Sequence, residues 1–100
     1  MATNKLTPAQ IELLSLLAEE LGEAVRAVGK ILRHGYESFH PHYPYAITNR
    51  EQLEKELGGV SAAIKLLCDS GDLNIDKTKE HTSWKLQSVT PFLDEQEKHG

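Results

Sequence analysis

The chain is poor in the residues that usually announce a chemistry. It has one cysteine, Cys68, so an intramolecular disulfide is excluded. With Ile64, Leu66 and Leu67 around it, that thiol reads as a packed side chain rather than a nucleophile. No apolar run approaches the roughly 20 residues of a membrane span. The first residues, Met1 to Lys5, lack the basic and apolar regions of a secretory signal, and the expectation is a soluble, cytoplasmic protein without a membrane partner. A basic excess is also missing. Eleven Lys and Arg stand against 15 Asp and Glu, a net charge of −4, which argues against binding a nucleic acid polymer or an anionic membrane surface. Glycine-rich phosphate loops, internal repeats and low-complexity stretches are absent.

What is present is helical periodicity. The 100 residues make one domain, 1–100, and helices are predicted over about 8–33, 49–70 and 75–89, with a short C-terminal turn at 91–96. Thr7 with Pro8 and Gln10 gives the first helix its N-cap, first-turn proline and capping box, and Gly35 ends it. Thr48 and Glu51 form the clearest capping box in the chain, and Ser70-Gly71 closes that second helix. Asp76 or Asn74 caps the third. Its apolar positions are weak, and Trp84 and Leu86 are too close in sequence to share one narrow face. Thr90-Pro91 is a further N-cap-plus-proline signal, expected to start the last turn. A domain this small buries only a modest share of its surface, and each helix carries an apolar face, so a homodimer or homotetramer is expected.

The first helix holds the informative stretch, Glu19-Glu20-Leu21-Gly22-Glu23. At about 100° per residue, Leu14, Leu17, Leu21, Val25, Val28 and Leu32 form the main apolar stripe, expected to face the core. Glu12, Glu19, Glu23, Arg26 and Lys30 run along the opposite side, where ion pairs on a solvated face would explain them. Glu20 fits neither line. Its helical neighbours are Leu13, Leu16, Ala24, Ala27 and Ile31, and a carboxylate in such a sector must find a partner or change its proton affinity. A hard divalent cation held by several carboxylates would resolve the conflict.

On the second helix the stripe is Leu53, Leu57, Val60, Ile64 and Leu67. Glu56 lies beside Val60, Ala63 and Leu67, so it too points partly toward a core. Two antiparallel helices would bring such carboxylates to one cluster. Gly58-Gly59 in mid-helix costs roughly 2 kcal/mol and needs a packing reason or the loss of an earlier residue. Gly22 and Gly29 read as close approaches or tolerated defects. Between the helices, Gly35 to Ile47 carries two prolines and the aromatics Tyr36, Phe39, Tyr43 and Tyr45, a loop that either folds onto the core or offers a stacking surface. His40 and His42 flank a proline, and extended neighbours point apart, so a histidine metal pair is not expected there.

Glu-Glu-Leu-Gly-Glu at 19–23, followed by Glu56-Leu57-Gly58 on the next helix, resembles the MazG-like, all-α nucleoside triphosphate pyrophosphohydrolases, whose pattern is EExxE followed by ExxD. The segments 30–38 and 48–51 add to the likeness, which covers roughly residues 10–90. The resemblance implies an all-α bundle completed by oligomerisation, a nucleoside triphosphate as substrate, and Mg²⁺ as cofactor, with Mn²⁺ as an alternative. It makes Glu19, Glu20, Glu23 and Glu56 catalytic metal ligands, with Asp69 as an auxiliary. Lys30, Arg33 and Arg50 become phosphate contacts by charge, and Asn49 and the loop aromatics meet the base. Gly59 stands where the pattern has its last Asp. That departure leaves two further readings: a nucleotide-binding relative that has lost catalysis, for which Gly59→Asp should gain metal affinity, and a structural helical dimerisation module.

Overall fold

Capping decides where the helices begin. The Thr7 hydroxyl accepts from the Gln10 N–H at 3.1 Å while the Gln10 side chain accepts from the Thr7 N–H at 2.8 Å, so two donors at the exposed helix start are satisfied reciprocally. Thr48 and Glu51 repeat the arrangement. The computed structural model describes residues 5–39 and 46–96, and over them the chain is all-helical: α1 (Pro8–His34), α2 (Asn49–Asp69), α3 (Ile75–Val89) and a 3₁₀ turn, Thr90–Phe92. Gly35 and Gly71, at φ 88° and 86°, supply the left-handed residues after α1 and α2. None of the described helices is long and apolar enough to cross a membrane.

The third cap is Asn74, whose side chain accepts from the Lys77 N–H at 3.0 Å. The last turn differs from expectation. Thr90 donates its hydroxyl back to the Leu86 carbonyl and closes α3 as its C-cap, so the expected turn at 91–96 is a shorter 3₁₀ turn, Thr90–Phe92, for which Thr90 is not the N-cap.

α1 and α2 pack against each other in antiparallel order. Gln10 reaches Asp72 at one end of the pair, with Nε2 to Oδ1 at 3.2 Å. At the other end Asn49 donates to the Gly35 carbonyl at 3.1 Å, and the Arg50 N–H donates to Tyr36 O at 2.8 Å. Among the described residues the buried apolar side chains are mostly small: Ala24 and Ala27 on α1 and Ala63 on α2, with Leu67 the one large residue among them. Small residues let the two helix backbones approach closely.

The face of α1 that meets α2 is not the one its strongest stripe marks. Leu13, Leu16, Leu17, Glu20 and Ile31 are half-buried around Ala24 and Ala27, whereas Leu14, Leu21, Val25, Val28 and Leu32 lie on the open surface, Leu32 at 81% exposure. The apolar sector of α1 spans about half the helix circumference, counting 100° per residue, and α2 covers only half of it. On α2 the expected stripe holds in Leu53, Val60, Ile64 and Leu67, while Leu57 remains exposed. α3 buries no residue, and Trp84 and Leu86 are 67% and 61% exposed.

The radius of gyration is correspondingly large, 17.6 Å against about 13 Å for a closed 100-residue domain. The surface is 8429 Å², where about 5,700 Å² is usual for a monomer of this mass.

Candidate functional site

The inward sector of α1 carries one carboxylate, Glu20, and its edge carries another, Glu23. α2 brings Glu56 to meet them. Carboxylate oxygens of Glu20, Glu23 and Glu56 all lie within 4.8 Å of one another. The antiparallel order dictates the trio: Glu20 falls opposite Gly59, and one turn on, Glu23 falls opposite Glu56. Glu56 is only 6% exposed. Its Oε1 accepts from Gln52 Nε2 at 2.8 Å, while its buried Oε2 has no donor.

A buried carboxylate oxygen without a donor is costly, and two further acids beside it raise the cost. Glu23 responds. Its carboxyl is held above its ordinary value of 4.5, first by a hydrogen bond shared with the Glu56 carboxyl, then by the charge of Glu56, by desolvation, and by the charges of Glu20 and Glu19. A proton on Glu23 relieves the pair at low pH. A cation would do so at neutral pH.

Beside the trio opens a cleft of about 310 Å³ lined by Glu23, Arg26, Ala27, Lys30, Gln52 and Glu56. α1 lines it with Glu23 and the cations Arg26 and Lys30, and α2 lines it with Gln52 and Glu56, so acids and bases share one cleft.

The remaining sequence candidates fall in different places. Glu19 is exposed and outside the trio, although its charge still acts on Glu23. Lys30 lines the cleft. Arg33 is exposed one turn along, its Nη1 3.4 Å from where a Cβ on Gly29 would stand. Arg50 donates from Nε to Glu37 at 2.7 Å and lies over the Tyr36 ring at 4.2 Å from its centroid. With Asn49 it fastens the connection between α1 and α2, and neither lines the cleft. Asp69 pairs with Lys65 at 2.9 Å near the far end of α2, away from the trio. Phe39 and Tyr36 are about half exposed; Tyr43, Tyr45, His40 and His42 lie outside the described residues.

Two residues of the site were passed over in the sequence. Arg26 reads there as an ion-pair partner for Glu19 and Glu23, and Gln52 drew no reading at all. Their spacing was the available signal: Arg26 lies three after Glu23, and Gln52 lies four before Glu56, the separations that place side chains on one helix face. No protein-family model, curated protein or solved structure matches the chain, so the meaning of the cluster rests on its own residues.

Proposed function

We propose that the chain is a MazG-like, Mg²⁺-dependent nucleoside triphosphate pyrophosphohydrolase. The observation that supports this is the juxtaposition of three carboxylates from two helices, one of them buried with an unpartnered oxygen, with Arg26 and Lys30 lining the same cleft. Glu20, Glu23 and Glu56 fit a hard divalent cation, which takes oxygen ligands and tolerates a crowded anionic site. When bound, Mg²⁺ or Mn²⁺ neutralises polyphosphate charge and activates water.

The chain's own part is to orient the reactants. Gln52 holds Glu56 by one oxygen and leaves the other free. Arg26 and Lys30 draw the phosphates into the cleft and hold them beside the carboxylates. In the reaction, the oxygen of water bonds to the α-phosphorus as the bridging α–β P–O bond breaks. Pyrophosphate departs with that electron pair, a carboxylate takes the water's proton, and a nucleoside monophosphate remains. Of the three phosphate contacts expected from the sequence, Lys30 is kept, and Arg26 stands in for Arg33 and Arg50, which do not line the cleft.

The reading includes a second copy of the chain. The exposed stripe Leu14, Leu21, Val25, Val28 and Leu32, with Trp84 and Leu86 on α3, is the apolar surface a partner copy would cover. The excess of roughly 2,700 Å² per chain over the surface of a closed monomer would total about 5,400 Å² in a dimer, at the upper end of obligate interfaces. Val25→Glu should then yield monomer by sedimentation; a wild-type chain that is monomeric at micromolar concentration would remove the oligomer from the proposal.

The direct test is pyrophosphate release from a panel of nucleoside triphosphates with Mg²⁺. Turnover by the wild type that falls by two orders of magnitude or more in Glu56→Gln is expected, roughly the loss that follows removal of one preorganised charged group. Turnover unchanged in Glu56→Gln would assign the hydrolysis to something other than this cluster.

A further inference from the structure

Gly59 stands where the MazG-like pattern has an aspartate, yet the space next to it is taken. A Cβ built on Gly59 would overlap Oε2 of Glu20 and stand 2.8 Å from its Cδ and 3.5 Å from its Cγ. Gly58, its neighbour on the same helix, has nothing within 4 Å of the corresponding position, and neither has Gly22 on α1. Of the two adjacent glycines that weaken α2, one therefore faces open space and the other faces a carboxylate of the trio.

We infer that Gly59 is a positioning residue: its missing side chain is the seat that lets the Glu20 carboxylate lie against α2, beside Glu23 and Glu56. The site has one carboxylate fewer than the EExxE and ExxD pattern, and the space that an aspartate at position 59 would need is filled by Glu20 from α1. Gly59→Asp has the opposite effect to the one its sequence position suggests, because an aspartate there must first displace Glu20. The colliding atoms belong to the far end of a flexible side chain, so a residue larger than glycine is accommodated by moving Glu20 out of the cluster. Backbone distortion is not needed. The inference deepens the metal-site reading and depends on it for its functional consequence.

The test compares Gly59→Ala with Gly58→Ala. Alanine favours the helix at both positions, so both variants should melt at or above the wild-type temperature. Their Mn²⁺ affinities should part: unchanged in Gly58→Ala, and weaker by about 10- to 100-fold in Gly59→Ala, the range seen when a group that orients a ligand is altered. A merely structural glycine would not separate the two variants in this way. A metal-free readout goes with it. The metal-free wild type should show a nuclear Overhauser contact between the Glu20 γ protons and the Gly59 α protons.

Given a wild type that binds Mn²⁺, equal affinity in the two variants overturns the inference, and absence of that contact overturns it in any case. A wild type that binds no Mn²⁺ but shows the contact overturns the metal-site reading and leaves the seat standing.

Discussion

α1 and α3 both carry large apolar side chains, but among the described residues only α1 packs them against another helix. α1 lays Leu13, Leu16, Ala24, Ala27 and Ile31 against α2 and carries two acids into that contact. α3 buries nothing, although it has a well-formed Asn74 cap and a Trp and a Leu to offer. The difference is one of side-chain size and periodicity. Alanines at 24, 27 and 63 let α1 and α2 approach until even a glutamate is enclosed. The large residues of α3, at 84 and 86, point in different directions and present no single face. Close packing of small residues makes the pair that carries the carboxylate trio, and the bulky apolar groups are left outward.

The contrast can be broken most severely at Leu67, the largest fully buried side chain. Leu67→Ala should cost about 3 kcal/mol by chemical denaturation, enough to unfold so small a core on its own.

Next in size is a gain. In chelator, Glu56→Gln should stabilise the protein by about 1 kcal/mol, because it removes a buried oxygen without a donor and supplies an amide that can donate to Glu23. Saturating Mn²⁺ should reverse the order of the two proteins, since only the wild type gains binding energy. An order that stays the same with and without Mn²⁺ would separate the cluster from metal.

The same pair gives a pH dependence of known sign. The folded state holds the Glu23 proton more tightly than the unfolded state. The contribution of this group is therefore full below the ordinary value of 4.5 and is lost as pH rises through the raised one. Melting temperatures of the metal-free wild type and Glu23→Gln, taken between about pH 4 and pH 7, should diverge toward neutrality in favour of the variant. Parallel curves would mean that Glu23 and Glu56 do not share a proton.

The smallest effect belongs to α3. Trp84→Ser should change the stability of the isolated chain by no more than about 0.5 kcal/mol, while weakening self-association in sedimentation.

Much of the fold was legible in the sequence because caps are local. Thr7/Gln10, Thr48/Glu51, Gly35 and Gly71 each act within a few residues, and the helix ends follow from them. Glu20 and Glu56 were legible for a related reason: a carboxylate at an apolar position of a helical net is a conflict visible without coordinates. The choice of face on α1 was not. A sector apolar over half a circumference offers two ways to pack, and the stronger stripe, Leu14 to Leu32, lost to the one with alanines, because closeness of approach depends on the partner helix. Gly59 was misleading for the same reason. Its neighbour lies on another element, so its position in a motif suggested a missing carboxylate while its surroundings hold that of Glu20. Arg50 and Asn49 carried the right charge and polarity for phosphate and base, but the turn from Gly35 to Glu37 takes up their hydrogen bonds.

The central claim is that the Glu20, Glu23 and Glu56 carboxylates form one cation site. Calorimetric titration of Mn²⁺ into wild type and Glu56→Gln, each with and without a non-hydrolysable nucleoside triphosphate, tests it most directly. The expected result is saturable binding to the wild type, tightened by the nucleotide and lost in the variant. Equal heats for the two proteins, or none from either, would contradict it.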